Sequence, residues 1–259
     1  MSPAYPAVVR STPASVLGKM AVLLDAFGPE TNEMGLNELA RATGLPKATV
    51  HRLAGELVAA GFLERSGTNY ALGPHLFELG QRVPRRRLLR EAALPFLEDV
   101  FVATRETVHL AVVDGLEVVY VERIAGHRSP EIPSAVAGRL PLHCTATGKA
   151  LLANGPAELL TGVLAAGLER RTPFTIVVPA LLVEELAKVR TSGIAFEREE
   201  TRISFVSVAA PVFGRKGQVL AAISVTGPRQ RLDPVSSAGV VRLAARGLTR
   251  VLAGTVVDL

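Results

Sequence analysis

Between Asn37 and Leu72 the chain fits two short helical patterns and a hairpin punctuated by Gly44, Gly61 and Gly67, a spacing that few folds accommodate. Asn37 reads as the N-cap of a helix running to Thr43 and ended by Gly44. Leu45-Pro46 then leads into a second helix, from Lys47 to about Ala60, that Gly61 stops. In that second helix Val50, Leu53, Ala54, Leu57 and Val58 fall at i, i+3, i+4, i+7 and i+8, one buried stripe. Phe62–Arg65 and Asn69–Leu72 read as strands joined by Ser66-Gly67-Thr68, a hairpin placed directly after the second helix. Helix, tight turn, helix and small hairpin make a winged helix-turn-helix.

The stripe also says which residues face outward. Ala48, Thr49, His51 and Arg52 lie on the open face and flanks, near the N-terminal end, where a recognition helix meets base edges. Arg52 suits guanine O6 and N7, Thr49 and His51 suit bases or phosphates, and Lys47 suits a phosphate. Arg65, beside the wing tip, suits the flanking DNA backbone. Charge agrees: up to position 90 there are 11 Lys and Arg against 7 Asp and Glu, and 18 against 17 beyond it. A basic first third beside a near-neutral remainder points to a polyanion partner for one domain only.

At 259 residues two domains are expected. Residues 1–15, with three prolines and no apolar period, read as a flexible arm; 16–74 as the winged helix; 75–104 as linker helices; and 105–259 as a second domain. There Thr107–Val113 and Val118–Ile124 flank Asp114-Gly115, a hairpin signal, and Ile194–Glu199, Phe205–Phe213 and Gln218–Thr226 read as further strands among helices. Antiparallel strands with flanking helices make an α+β module rather than a dinucleotide-binding fold. A turn centred on Arg215-Lys216 would set Ser207 opposite Ser224 and Phe205 opposite Thr226. Paired hydroxyls flanked by apolar side chains suit the oxygens of a carboxylate in a small cavity.

Other function classes find little support. The longest uncharged runs, such as 203–214, are about a dozen residues, short of the roughly 20 that a spanning helix needs, so no membrane partner is expected. Prolines stand where a signal peptide would need an apolar core, and Cys144 is the single cysteine; a reducing cytoplasm fits both. One cysteine forms no disulfide framework or thiolate zinc cluster, and the histidines at 51, 75, 109, 127 and 143 lack metal-ligand spacing, so neither metal nor cofactor is expected. His143 and Cys144 are neighbours in an extended segment and point apart, which argues against a nucleophile and base. Gly148-Lys149 lacks the upstream glycine of a phosphate loop, and Glu199-Glu200 reads as a charged pair at a strand end. The Arg85–Arg90 cluster fits either a contact with DNA backbone or, preferably, the solvated start of the linker helix. A rival reading keeps a small-molecule sensor or enzyme whose first domain makes protein contacts only.

The segments LNELARATGLPKATVHRLAGELVAAGFLER and YALG resemble the DNA-binding domain of the IclR family of bacterial transcriptional regulators. LREAALPFLEDV, ETVHLAVVDG, RLPLHCTATGKALLA and GIAFEREE, with VAAPVFGRKGQVLAAISVTGP, continue the resemblance in family order to about residue 254. It implies a winged helix, a linker helix and a C-terminal effector-binding domain of GAF-like type. It further implies homodimers or homotetramers on pseudo-palindromic double-stranded operators, and a small organic acid as effector. The implied pocket lies against the sheet, closed by the helix after PLHCTATGKA, at Ala146, Thr147, Glu197, Phe205, Ser207, Ser224 and Thr226. Three positions depart from the family pattern: Glu197 stands for a frequent aspartate, Ser204 for a common glycine and Ser207 for a usual cysteine.

Overall fold

The computed structural model describes residues 15–28, 31–126, 134 and 136–254, the side chain of Arg85 apart. The arm read over 1–15 lies outside them except for Ser15. The chain divides after Pro84 into two compact units.

In the first unit, helices α1 (Val16–Asp25), α2 (Leu36–Thr43) and α3 (Lys47–Ala59) precede strands β1 (Leu63–Ser66) and β2 (Asn69–Leu72) and helix α4 (Pro74–Gln81). Leu23, Leu39, Leu53, Leu57, Leu63 and Tyr70 form its core. The N-cap of α2 is Gly35 rather than Asn37, because Glu38 reaches back and accepts from the Gly35 N–H at 2.8 Å. Gly44, at φ 67, closes α2 in the left-handed conformation that glycine adopts without strain. Met34 and Tyr70 exchange backbone hydrogen bonds at 2.9 Å, which ties the wing to the segment leading into α2.

The second unit holds α5 (Pro84–Thr104), β3 (Thr107–Asp114), β4 (Glu117–Ile124), β5 (Arg139–Pro141), α6 (Ala146–Asn154), α7 (Ala157–Ala166), α8 (Pro179–Ser192), β6 (Ala195–Arg198), β7 (Phe205–Phe213), β8 (Val219–Pro228) and α9 (Pro234–Gly254). The segment read as a linker therefore divides, α4 falling in the first unit and most of α5 in the second. The strands form one antiparallel sheet in the order β5-β4-β3-β8-β7-β6. Both faces are covered, which explains why β7 is apolar almost throughout. Val206, Val208, Ala210 and Val212 join Val108, Leu110, Ile223 and Val225 against α5 and α9. Ala111, Ala195, Ala209 and Ala222 face the other way, toward α6, α7 and α8. Alanines there let α6 settle close to the sheet, which brings the helix N-terminus over the polar end of the same face.

The hairpin register departs from expectation by two residues. Ser207 pairs with Thr226, Ala209 with Ser224 and Phe205 with Pro228. The turn closes one step further on, with Gly214 donating to Gln218 O at 2.8 Å, and the pairing slips at Val212/Phe213, where Val219 meets Phe213 and Ala221 meets Val212. A slip of two keeps every side chain on its expected face, so the hydroxyls still share one surface.

Gly148 marks the tightest approach of α6 to the preceding chain: a Cβ there would stand 2.1 Å from Leu142 O and 2.5 Å from Thr145 Oγ1. Gly148→Ala is expected to cost about 3 kcal/mol or more, since backbone must move to admit the methyl group. A urea titration of the full chain measures it, and an unchanged midpoint would contradict this packing.

Candidate functional site

In the first unit the buried side of α3 consists of Val50, Leu53, Ala54 and Leu57. Lys47, Ala48, His51 and Arg52 are exposed on its other side, and Thr49 is half-buried between them. Pro46 caps α3 without a side-chain bond, so the first-turn N–H groups point from the helix end toward the same surface. Arg52 pairs with Glu56 one turn on, at 2.5 Å, which holds the guanidinium along the helix. Arg65 lies over the Tyr70 ring, 4.5 Å from its centroid, and Tyr70 is itself buried. Five of the six residues expected at DNA thus share the first turns of α3, while Arg65 stands on the wing.

The second unit has a cavity of about 430 Å³, open mouth included, at the polar end of the sheet under the N-terminus of α6. Ala146, Thr147, Glu197, Phe205, Ser207, Ser224 and Thr226 all line it, so the structure brings the seven expected residues together. Tyr120, Ser134, Leu140, Thr145, Thr201 and Arg202 complete the lining without having been anticipated. Tyr120 arrives by pairing with Ala111 across a bulge in β3 and β4, a register that no local pattern announces. Thr201 and Arg202 belong to the irregular 199–204 segment, where the only sequence signal is the gap between two strands.

Local chemistry fixes each wall. Thr145 caps α6, accepting from Gly148 N at 3.0 Å and donating to Pro141 O at 3.1 Å. The N–H groups of Ala146 and Thr147 precede any intrahelical acceptor. Thr147 Oγ1 is buried at the cavity without a hydrogen-bond partner among the described residues. Arg202 lies over Phe205, 4.9 Å from the ring centroid, and adds positive charge to the lining. Glu197 accepts from the N–H groups of Glu200 at 2.7 Å and Thr201 at 3.0 Å, and from the Ser207 hydroxyl at 3.0 Å. Burial nevertheless pushes its carboxyl up to about 7, the hydrogen bonds offsetting part of the desolvation.

The 199–204 segment is held from several sides. Glu199 and Ser204, neither a glycine, adopt φ 59 and 67. Ser204 thus occupies the left-handed region that glycine takes freely. Its N–H donates to Glu199 Oε2 at 2.9 Å, and Arg229 pairs with Glu199 at 2.6 Å, which together hold that carboxyl below its ordinary range. Lys149, 1% exposed, pairs with Glu200 at 2.5 Å and donates to Phe196 O at 3.1 Å. The Thr201 hydroxyl donates to Cys144 O at 2.9 Å. Lys149 therefore binds protein carboxylate and carbonyl oxygens from within its helix.

His143 donates from Nε2 to Glu169 O at 3.0 Å, with its pKa lowered by burial. Cys144 is wholly buried, and that burial pushes its thiol up to about 12, far from a thiolate at neutral pH. Arg90 is ion-paired with Glu122, and Arg87 with Glu91 at 3.8 Å. Among the described residues no group of three or more His, Cys, Asp or Glu side chains converges as metal ligands, and no helix is long and apolar enough to cross a membrane.

Family models place these two units. The IclR helix-turn-helix domain matches residues 16–67, and the C-terminal domain of IclR bacterial transcriptional regulators matches residues 81–249. The HTH-type transcriptional regulator XynR of Escherichia coli (strain K12) is 32% identical over 236 residues, covering 89% of this chain and 94% of the relative. The transcriptional repressor IclR of the same organism is 32% identical over 240 residues, covering 90% and 88%. A solved IclR homologue from Microbacterium hydrocarbonoxydans, complexed with 4-hydroxybenzoate, superposes with a TM-score of 0.86 at 32% identity, covering 93% of this chain and all of that one.

Because Glu197 holds its proton up to about 7 in the folded chain against an ordinary value of 4.5, the folded state binds more protons between those values. Its contribution to stability is full below about 4.5 and falls as pH rises toward 7. Urea midpoints across that window should decline less steeply in Glu197→Gln than in the wild type. Parallel slopes would mean that the carboxyl is not desolvated.

Proposed function

The chain belongs to the IclR family of bacterial transcriptional regulators, and on that premise we propose that its winged helix reads operator half-sites while its C-terminal cavity senses a small organic acid. One observation carries the acid: the first turn of α6 opens onto the cavity with the buried, unpartnered Thr147 hydroxyl beside it. A carboxylate is the ligand group that such a helix end attracts, through N–H donors and the helix dipole together. Arg202 adds to the attraction, and Tyr120, Leu140 and Phe205 supply apolar surface for the rest of the molecule. The Microbacterium homologue holds an aromatic acid, 4-hydroxybenzoate, which supports the same class here.

At DNA, Arg52 reads a base edge after exchanging Glu56 for guanine, Thr49 and His51 approach bases or phosphates, and Lys47 and Arg65 contact the backbone. Two copies are needed for a pseudo-palindromic operator, so the working form is a homodimer or a pair of dimers. Effector binding alters operator affinity only as far as the acid prefers one of two arrangements, and the operator then changes acid affinity by the same factor.

Fluorescence anisotropy against DNA from upstream of the protein's own gene, with a scrambled control, tests the DNA half. Arg52→Ala should weaken operator binding by about 1–3 kcal/mol and leave scrambled DNA almost unaffected. Lys47→Ala should weaken both alike and lower the salt slope by about one. Equal losses on both DNAs for Arg52→Ala would assign that residue to the backbone. For the other half, Thr147→Val should weaken acid binding about tenfold, the usual scale of one buried hydrogen bond, without changing operator affinity of the ligand-free protein. Unaltered acid affinity in calorimetry would remove Thr147 from the ligand.

A further inference from the structure

The polar atoms around the cavity differ in what they have left to offer. Glu197 Oε1 accepts from two backbone N–H groups, Glu200 and Thr201, and its acceptor sites are filled. Glu197 Oε2 accepts the Ser207 hydroxyl at 3.0 Å and keeps one site. A serine hydroxyl has a single proton, and Ser207 has given it to Glu197. The 2.9 Å contact between Ser207 Oγ and Thr226 Oγ1 must therefore be donated by Thr226. Thr226, its proton spent, faces the cavity as an acceptor only. With Glu197 ionised, above about pH 7, the hydrogen-bond chain has one direction, from Thr226 through Ser207 to Glu197, and it ends on a carboxylate that is itself pinned by the backbone.

The cavity is consequently polarised. The first turn of α6 presents donors and Arg202 adds positive charge, whereas the Glu197, Ser207 and Thr226 part of the sheet presents acceptors. An acid satisfies the first region with its carboxylate. A carbonyl, an ether or a second carboxylate over Thr226 would set acceptor against acceptor in a buried place, and an unmet buried acceptor is costly. A hydroxyl or N–H would donate to Thr226 Oγ1 or to the remaining site on Glu197 Oε2.

We infer that the effector is an acid that also carries a hydrogen-bond donor, a hydroxyl or an N–H, received by Thr226 or Glu197; this rests on the acid-sensing reading above. The device that sets the preference is Glu197, because its two acceptor oxygens dictate which way the chain of protons runs. In Glu197→Gln the amide oxygen keeps the two backbone donors and the amide nitrogen donates to Ser207. Ser207 then turns its proton to Thr226, and the Thr226 proton turns into the cavity. The same surface becomes a donor, and the preference reverses.

Calorimetry on the full chain with two matched pairs tests this: 4-hydroxybenzoate against 4-methoxybenzoate, and lactate against pyruvate. It is run near pH 8, above the value of about 7 to which burial brings Glu197, so that the carboxyl is ionised. In any pair that binds, the wild type should favour the hydroxyl member about tenfold or more, and Glu197→Gln should favour the other member. Thr226→Val, which changes no charge, should bring the two members of a pair close to equal and serves if the Gln variant does not fold. Equal wild-type affinity within a pair would overturn the inference while leaving the acid reading intact. A Glu197→Gln variant that keeps the wild-type order would overturn it as well. If none of the four acids bound at millimolar concentration, the acid reading would fail and this inference with it.

Discussion

A lysine with 1% of its surface exposed governs the second unit. Lys149 must be compensated where it lies, since an ammonium group taken out of water without a partner loses several kcal/mol of hydration. Its partners, Glu200 and Phe196 O, come from β6 and the segment after it, so meeting that charge clamps the body of α6 to the strand beneath it. With α6 held there, the N–H groups of its first turn stand over the polar end of the sheet. With Glu200 held, the backbone of 200–201 comes within reach of Glu197. The positions of the cavity roof and of the 200–201 backbone beside Glu197 both go with satisfying one buried cation.

The alanines beneath α6 are the steric counterpart of that electrostatic clamp. Ala195, Ala209 and Ala222 leave no bulk to lift the helix, and Gly148 lets its first turn press against Leu142 O. One strand step further along the same face the residues become Glu197, Ser207, Ser224 and Thr226, and the close contact opens into the cavity. A single sheet face thus changes from packing surface to cavity wall by exchanging methyl groups for hydroxyls and a carboxyl. The opposite face, packed with valines and leucines against α5 and α9, can remain rigid while the polar end adapts to a ligand.

The first unit solves a different problem with fewer contacts. Its core holds α3 by one stripe and leaves the rest of the helix to solvent. Glu56 keeps Arg52 extended along the helix in the absence of DNA, and Tyr70 supports Arg65 from below. Both arginines are thereby partly held in place, which lowers the side-chain entropy that any contact made by them would cost.

Much of this was legible in the sequence because it is local or periodic. The α3 stripe, the glycine stops, the wing hairpin and the apolar runs of β7 and β8 are each written within a dozen residues. They gave the α+β class and the exposed face of α3, whereas the seven cavity positions, as a set, came from family likeness alone. What the chain order did not disclose depends on partners distant along it. The pairing of Ser207 with Thr226 rather than Ser224 was decided by how the 214–218 turn closes and where the pairing slips, a matter of side chains and backbone fitting in three dimensions. Tyr120 entered the cavity through a bulge, and Thr201 and Arg202 through a segment without repeating pattern. Sequence by itself determined which residues face inward, because periodicity sets the face. Only the tertiary structure decided which atoms meet and which of them have protons left to donate, because hydrogen-bond capacity is spent in space rather than along the chain.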